Sequence, residues 1–171
     1  MSDLLTIDHL FWACFAGLCL AAAVCDVRSY RIPNAISVAI LGLYVVRLVV
    51  SDLWAEALDG FLVMGAVLSI GFVLFALRWL GGGDVKLMSV VALWSGGEEI
   101  FRIFYTIALT GGVMALALLV YLTCVALSAK VKNAKSRGRI RNQKLPYGVA
   151  IAAGALDLSL QRTGVLEMLG V

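Results

Sequence analysis

The chain has 171 residues, 62% of them hydrophobic and 15% charged, with a formal net charge of +3 and a mean hydropathy of +0.98. Soluble domains run at about 45–50% apolar and about 25% charged, so this composition excludes a soluble globule and points to an all-α polytopic integral membrane protein. The apolar runs leave no room for a separate soluble domain, and residues 1–171 read as one membrane-embedded unit.

A membrane-spanning helix needs about 20 apolar residues, and six candidates follow one another. The first runs from Ile7 to Cys25. The segment Met1 to Leu10 carries two acids and no Lys or Arg. A cleaved signal peptide opens on a basic segment, so this run is expected to stay as a permanent helix. A polar stretch from Asp26 to Asn34 follows. Pro33 is excluded from a helix interior, and Asn34 is expected to N-cap the second helix, Ala35 to Val50, which ends at Ser51-Asp52. The third candidate, Ala57 to Leu80, contains Gly60, Gly65 and Gly71, small residues that let membrane helices approach closely.

Gly81-Gly82-Gly83-Asp84-Val85-Lys86 comes next, and a fourth candidate runs only from Val85 to Ser95. It is too short to span comfortably and is expected to be tilted, extended at its ends or buried by its neighbours. Gly96-Gly97-Glu98-Glu99 forms a turn into the fifth candidate, Ile100 to Ala129. A basic loop carrying Lys130, Lys132, Lys135, Arg137, Arg139, Arg141 and Lys144 leads to the sixth, which Leu145-Pro146-Tyr147-Gly148 opens and which ends near Gln161-Arg162.

The basic loop is expected to face the cytoplasm and to touch anionic lipid. Counting back through alternating spans puts Arg28, Arg31, Arg78 and Lys86 on that side and both termini outside, with Arg47, Arg102 and Arg162 at the other end. Asp3, Asp8, Asp52, Glu56, Asp59, Glu98, Glu99 and Glu167 fall towards the outer side, and Asp157 lies within the sixth helix. On the cytoplasmic side two acids remain, Asp26 at the end of the first helix and Asp84 at the start of the fourth. The span assignment therefore brings them to one depth. An ionised acid near a bilayer is costly and by default suggests function.

Two carboxylates at one depth suit aspartic-protease chemistry. Close like charges share a proton, the ionised member takes a proton from water, and the protonated member donates to the peptide carbonyl. The reaction calls for no metal or other cofactor. The glycines before Asp84 would let a substrate backbone approach and allow unusual dihedral angles. Lys86 would raise the local positive potential or snorkel to the headgroups. Cys14, Cys19, Cys25 and Cys124 form no C-x-x-C pair, which argues against zinc and for packing. Trp12, Trp54, Trp79 and Trp94 fall near span ends and read as interfacial anchors.

Gly81-Gly82-Gly83-Asp84-Val85-Lys86 resembles the G-x-G-D-x-K signature of the prepilin peptidases, also called type IV leader peptidases. Asp26 with Ile32-Pro33-Asn34 resembles that family's first aspartate segment, D-x5-I-P-N, and Pro146-Tyr147-Gly148 its late P-[YF]-G segment. The resemblance implies a GxGD-type aspartic endopeptidase of the inner (cytoplasmic) membrane. Such an enzyme removes the basic leader of type IV pilin-like precursors at the cytoplasmic face. Asp26 and Asp84 would be its catalytic pair, with Gly81, Gly82, Gly83 and Lys86 in the active-site loop. Pro33, Asn34, Pro146, Tyr147 and Gly148 would have substrate-binding or structural roles. The cysteine-rich zinc segment and the N-methyltransferase activity of larger members are not expected. The compact form resembles the short peptidases of tight-adherence (Flp) pilus systems and the archaeal preflagellin peptidases.

Other readings predict other patterns. A proton-coupled transporter needs acids along a path through the bilayer and some repeat symmetry, whereas this pair sits at one face and no repeat is visible. A non-catalytic scaffold of a pilus machine would tolerate Asp-to-Asn changes at both positions. Nucleic acid is not an expected partner, because the basic loop abuts the bilayer without interleaved aromatics. The expected partners are a pilin-like precursor and membrane lipid.

Overall fold

In the computed structural model, which describes residues 2–127 and 146–164, every regular element is a helix. They are α1 (Ser2–Ser29), α2 (Asn34–Ser51), α3 (Trp54–Ala76), α4 (Gly82–Leu127) and α5 (Tyr147–Arg162). The first four contain segments long and apolar enough to cross a membrane, Ile7–Ser29, Asn34–Ser51, Ala57–Ala76 and Gly82–Cys124. The chain is an all-α polytopic membrane protein.

The 46 residues of α4 are interrupted at Gly96, where φ 61 and ψ −173 leave the helical region. That residue reverses the chain. Limb 82–95 rises from Lys86, bonded to Asn34 at the start of α2, to Trp94, whose ring packs 5.1 Å from that of Trp12 on α1. Limb 97–127 returns alongside α5. Arg102 pairs with Asp157, Ile107 packs at Gly154, and Gly111 lies against Ala150 and Tyr147. The expected fourth and fifth candidates are thus two antiparallel limbs joined at one glycine. The short first limb can be short because it is buried by its neighbours, with every residue from Ser89 to Ser95 buried. Helices α3 and α5 pack most extensively on α4, and α1 packs on α5.

Close approach depends on particular glycines. A Cβ on Gly60 would lie 2.8 Å from the Leu93 carbonyl oxygen, and one on Gly71 would lie 2.6 Å from a methyl of Val85. Gly71 therefore lets α3 seat the residue next to Asp84. Gly65 differs from expectation, because no neighbouring atom comes within 4 Å of its Cβ position.

An aromatic cluster pins the half of the bundle away from Asp26 and Asp84. Phe15 stacks on Trp94 at 4.5 Å, and Trp12 and Tyr44 meet Trp94 edge-on. Such pairs each add roughly 0.5–1.5 kcal/mol beyond area burial. Trp12 and Trp94 are therefore not interfacial anchors, being 2% and 3% exposed. Burial is possible because each indole N–H has a partner inside the bundle: Trp12 Nε1 donates to Asp8 Oδ2 at 3.1 Å, and Trp94 Nε1 to the Ile40 carbonyl at 3.4 Å. Trp54 and Trp79 are exposed, as an interfacial position requires.

Helices α1, α3 and α4 start earlier than expected, at Ser2, Trp54 and Gly82, and three further helix ends differ for reasons visible in their hydrogen bonds. Helix α1 continues through Asp26 to Ser29, because Tyr30 in the left-handed region (φ 51) returns its N–H to the Asp26 carbonyl at 2.8 Å. Helix α3 stops at Ala76 rather than Leu80. Trp79 N–H bonds to Leu74 and Arg78 N–H to Phe75, with Arg78 left-handed at φ 61. This is a Schellman ending with arginine where glycine is usual. Asn34 does not cap α2. Pro33 holds the N-cap position and Asn34 is the first helical residue, its side-chain oxygen taken by Lys86. The basic loop from Lys130 to Lys144 and Glu167 lie outside the described residues.

Candidate active site

Asp26 lies on the last turn of α1, 5% exposed. Its Oδ2 accepts the Gly148 backbone N–H at 2.7 Å. Gly148 is the second residue of α5, whose N-cap residue, Pro146, offers no side-chain cap. The first N–H groups of a helix lack intrahelical acceptors, so Asp26 caps α5 from a different helix. Glycine is required there, because a Cβ would lie 2.9 Å from both Asp26 Cβ and Oδ2. Oδ1 of Asp26 accepts no hydrogen bond from another described residue.

Asp84 is half-buried in the first turn of α4 and accepts the backbone N–H of Gly81. The Gly81 carbonyl in turn accepts the Val85 N–H at 3.1 Å, which makes Gly81 the N-cap and Asp84 the third helical residue. An acid at that position reaching back to the N-cap N–H is half of a capping box. The other half is missing because Gly81 has no side chain. A Cβ on Gly81 would lie 2.7 Å from Asp84 Oδ2. The positive end of the helix dipole favours a carboxylate in this turn.

Asp26 and Asp84 come to the same end of the bundle, within range of a Coulombic interaction between them. One comes from the end of α1 and the other from the start of α4, as the span count required. The loop segments gather around them. Gly83 packs on Ile32, with a Cβ position 3.4 Å from that of Ile32, and Gly82 lies under the Phe75 ring. Lys86 Nζ donates to Asn34 Oδ1 at 3.1 Å, tying the glycine loop to the Ile32-Pro33-Asn34 segment. Pro33 is exposed at the head of α2, and Tyr147 reaches towards Gly111. None of Gly81, Gly82 and Gly83 has a positive φ. These glycines permit close packing, and an unusual dihedral occurs instead at Gly96, whose φ is 61.

Besides Asp8, two carboxylates outside this pair have structural partners that the sequence did not reveal. Asp157 takes Arg102 through both oxygens, at 3.0 and 3.3 Å, with Thr106 at 3.4 Å. Asp59 accepts the Gly97 N–H at 2.6 Å and caps the returning limb of α4. The helix register carries a signal for the first, since Arg102 and Thr106 lie four apart on one face. A glycine pair opening a helix, with no side chain to cap it, carries the signal for the second.

The model of the type IV leader peptidase family matches residues 13–128. The chain belongs to the type IV leader peptidase family. The matched segment contains both Asp26 and Asp84 and ends before Pro146-Tyr147-Gly148. No curated protein matches the chain, and no solved structure does. Membership in this family makes the chain a membrane-embedded protease.

Proposed function

We propose that this leader peptidase is an aspartic endopeptidase whose catalytic pair is Asp26 and Asp84. The observation that carries this reading is the convergence of the two carboxylates, each held by a backbone N–H at a helix start. With Oδ2 of Asp26 committed to Gly148, Oδ1 is the oxygen that would face a water shared with Asp84. One carboxylate, ionised, removes a proton from that water as it attacks the scissile carbonyl carbon. The other, protonated, donates to the carbonyl oxygen. The tetrahedral intermediate collapses as the carboxyl that gained the water proton passes it to the leaving amine, while the other carboxylate takes a proton back from one hydroxyl of the intermediate; the carbonyl re-forms and the starting pair is restored. The glycines at 81–83 let the loop pack against Phe75 and Ile32, which holds the turn carrying Asp84 against the Ile32-Pro33-Asn34 segment.

The substrate is a pilin-like precursor of the Flp type, and cleavage follows its basic leader at the cytoplasmic face. The positive-inside bias of the loop from Lys130 to Lys144 supports that orientation, which puts both termini outside. The whole chain acts as one peptidase domain. Without a C-x-x-C pair among its four cysteines, it releases the mature N-terminus unmethylated. Co-expression with Flp-type and other pilin-like precursors, read by intact mass, tests this directly. A mature product of unmethylated mass from the Flp-type precursor is expected. A methylated product, or cleavage of only the other precursors, contradicts the finer assignment.

A further inference from the structure

We propose that the end of the bundle away from Asp26 and Asp84 binds one phospholipid of the surrounding bilayer, with a phosphoethanolamine headgroup. A cavity of about 550 Å³ opens beside the Gly96 reversal, lined by Trp12, Arg47, Asp59, Trp94, Glu98 and Arg162 among others. Trp12 precedes Asp26 by 14 residues, so at the helical rise the cavity lies roughly 20 Å from the acids along the bundle. It is a separate site.

Both signs of charge line the cavity, with Arg47 and Asp59 held in place and Arg162 and Glu98 at its solvent-facing edge. Arg47 is held by its Nε bond to Asp8 Oδ1 at 2.8 Å, with the guanidinium 5.2 Å over the Trp12 ring and 5.7 Å over that of Trp94. Its side chain is only 12% exposed. Neither terminal nitrogen bonds to another described residue, which leaves a rigid fork suited to two oxygens of a phosphate. Arg162 adds a second cation, unpaired among the described residues. The same cavity is lined by Asp59, fixed by the Gly97 N–H, and by Glu98, which has no ion pair among the described residues. Two carboxylates lining one cavity supply acceptors for a small ammonium group.

A simple anion would meet Asp59 and Glu98, and a simple cation would meet two arginines. A zwitterion with phosphate and ammonium a few bonds apart satisfies both. The ammonium should be primary, because carboxylates reward N–H donors that a trimethylated nitrogen lacks.

The second observation identifies the source as lipid. A groove of about 370 Å³ shares Trp12 with the polar cavity and runs between Ala13 and Ala16 of α1 and Leu156 and Leu160 of α5. Arg162 lines the cavity while its neighbour Thr163 lines the groove. A headgroup in the first would send an acyl chain into the second. The proposal does not depend on the catalytic assignment.

Native mass spectrometry of the full chain in detergent would compare dioctanoyl phosphatidylethanolamine, phosphatidylcholine and phosphatidylglycerol with soluble O-phosphoethanolamine. The ethanolamine lipid is expected to bind about 10-fold more tightly than the other lipids, the scale of one charge-assisted hydrogen bond. Arg162→Gln and Glu98→Gln, both solvent-facing changes that should leave the melting midpoint of the unliganded protein intact, are each expected to remove that preference. Equal binding of the three lipids, or an unchanged preference in both variants, overturns the headgroup assignment. O-phosphoethanolamine binding as tightly as the lipid overturns the acyl-chain groove and makes the site one for a soluble phosphate ester.

Discussion

The Gly148 backbone N–H donates to Asp26 Oδ2 over 2.7 Å, joining residues 122 positions apart. This bond caps a helix whose own N-cap is proline, and it fixes one of the two acids in the same contact. Gly148→Ala would put a Cβ 2.9 Å from the Asp26 side chain. In a site that needs geometry good to about 1 Å, that displacement should lower leader cleavage roughly 10- to 100-fold. Gly65→Ala is the matched control, since nothing lies within 4 Å of its Cβ position, and its cleavage rate should be unchanged. Rates on a pilin-like precursor, with melting midpoints in detergent, check both.

Gly96 carries the chain reversal that returns α4 along α5. At φ 61 an alanine is strained, and its Cβ would also lie 2.8 Å from Asp59 Oδ2. Gly96→Ala is expected to destabilise the protein by about 1–3 kcal/mol, seen as a lower melting midpoint. Asp59→Asn, which keeps an oxygen for the Gly97 N–H, should lower it less than Asp59→Ala.

Arg78 closes α3 in a left-handed conformation that glycine adopts without strain. Arg78→Gly should therefore raise stability by about 1 kcal/mol and leave cleavage unchanged. Thermal unfolding alongside the cleavage assay tests this. A lower midpoint would mean that the Arg78 side chain contributes more than its backbone strain costs.

Asp157 is bound to Arg102 with side-chain exposures of 26% and 42%. Partly exposed pairs contribute about 0–1 kcal/mol. Asp157→Asn is expected to leave cleavage within about 2-fold of the parent and stability within that range. A much larger loss of cleavage in the folded variant would assign Asp157 a role in the reaction.

Much of this fold can be read from hydropathy and breakers. The apolar runs, Pro33 and the glycine clusters give the helix order and bring Asp26 and Asp84 to one end, because depth follows from alternation alone. Other features depend on side chains meeting across the bundle, which a hydropathy pattern does not encode. Trp12 and Trp94 read as interfacial until Asp8 and Ile40 are seen to take their N–H groups. Asn34 reads as a cap until Lys86 claims its oxygen. The Gly81-Gly82-Gly83 run suggests unusual backbone angles, yet it serves for close packing, and among the described residues the positive-φ glycines are Gly96 and Gly164. The partner of Asp26 is a backbone N–H, so no side chain in the sequence could announce it.

In the proposed mechanism Asp26 and Asp84 are both needed for peptide hydrolysis. The most direct measurement is leader removal, read by intact mass, with Asp26→Asn and Asp84→Asn expressed separately beside the parent chain and folding checked by gel filtration in detergent. A two-aspartate mechanism predicts complete cleavage by the parent and none by either folded variant, with loss of at least about 10³-fold, the scale of removing a general acid or base. Cleavage surviving at near-parental rates in either folded variant would contradict the two-aspartate mechanism.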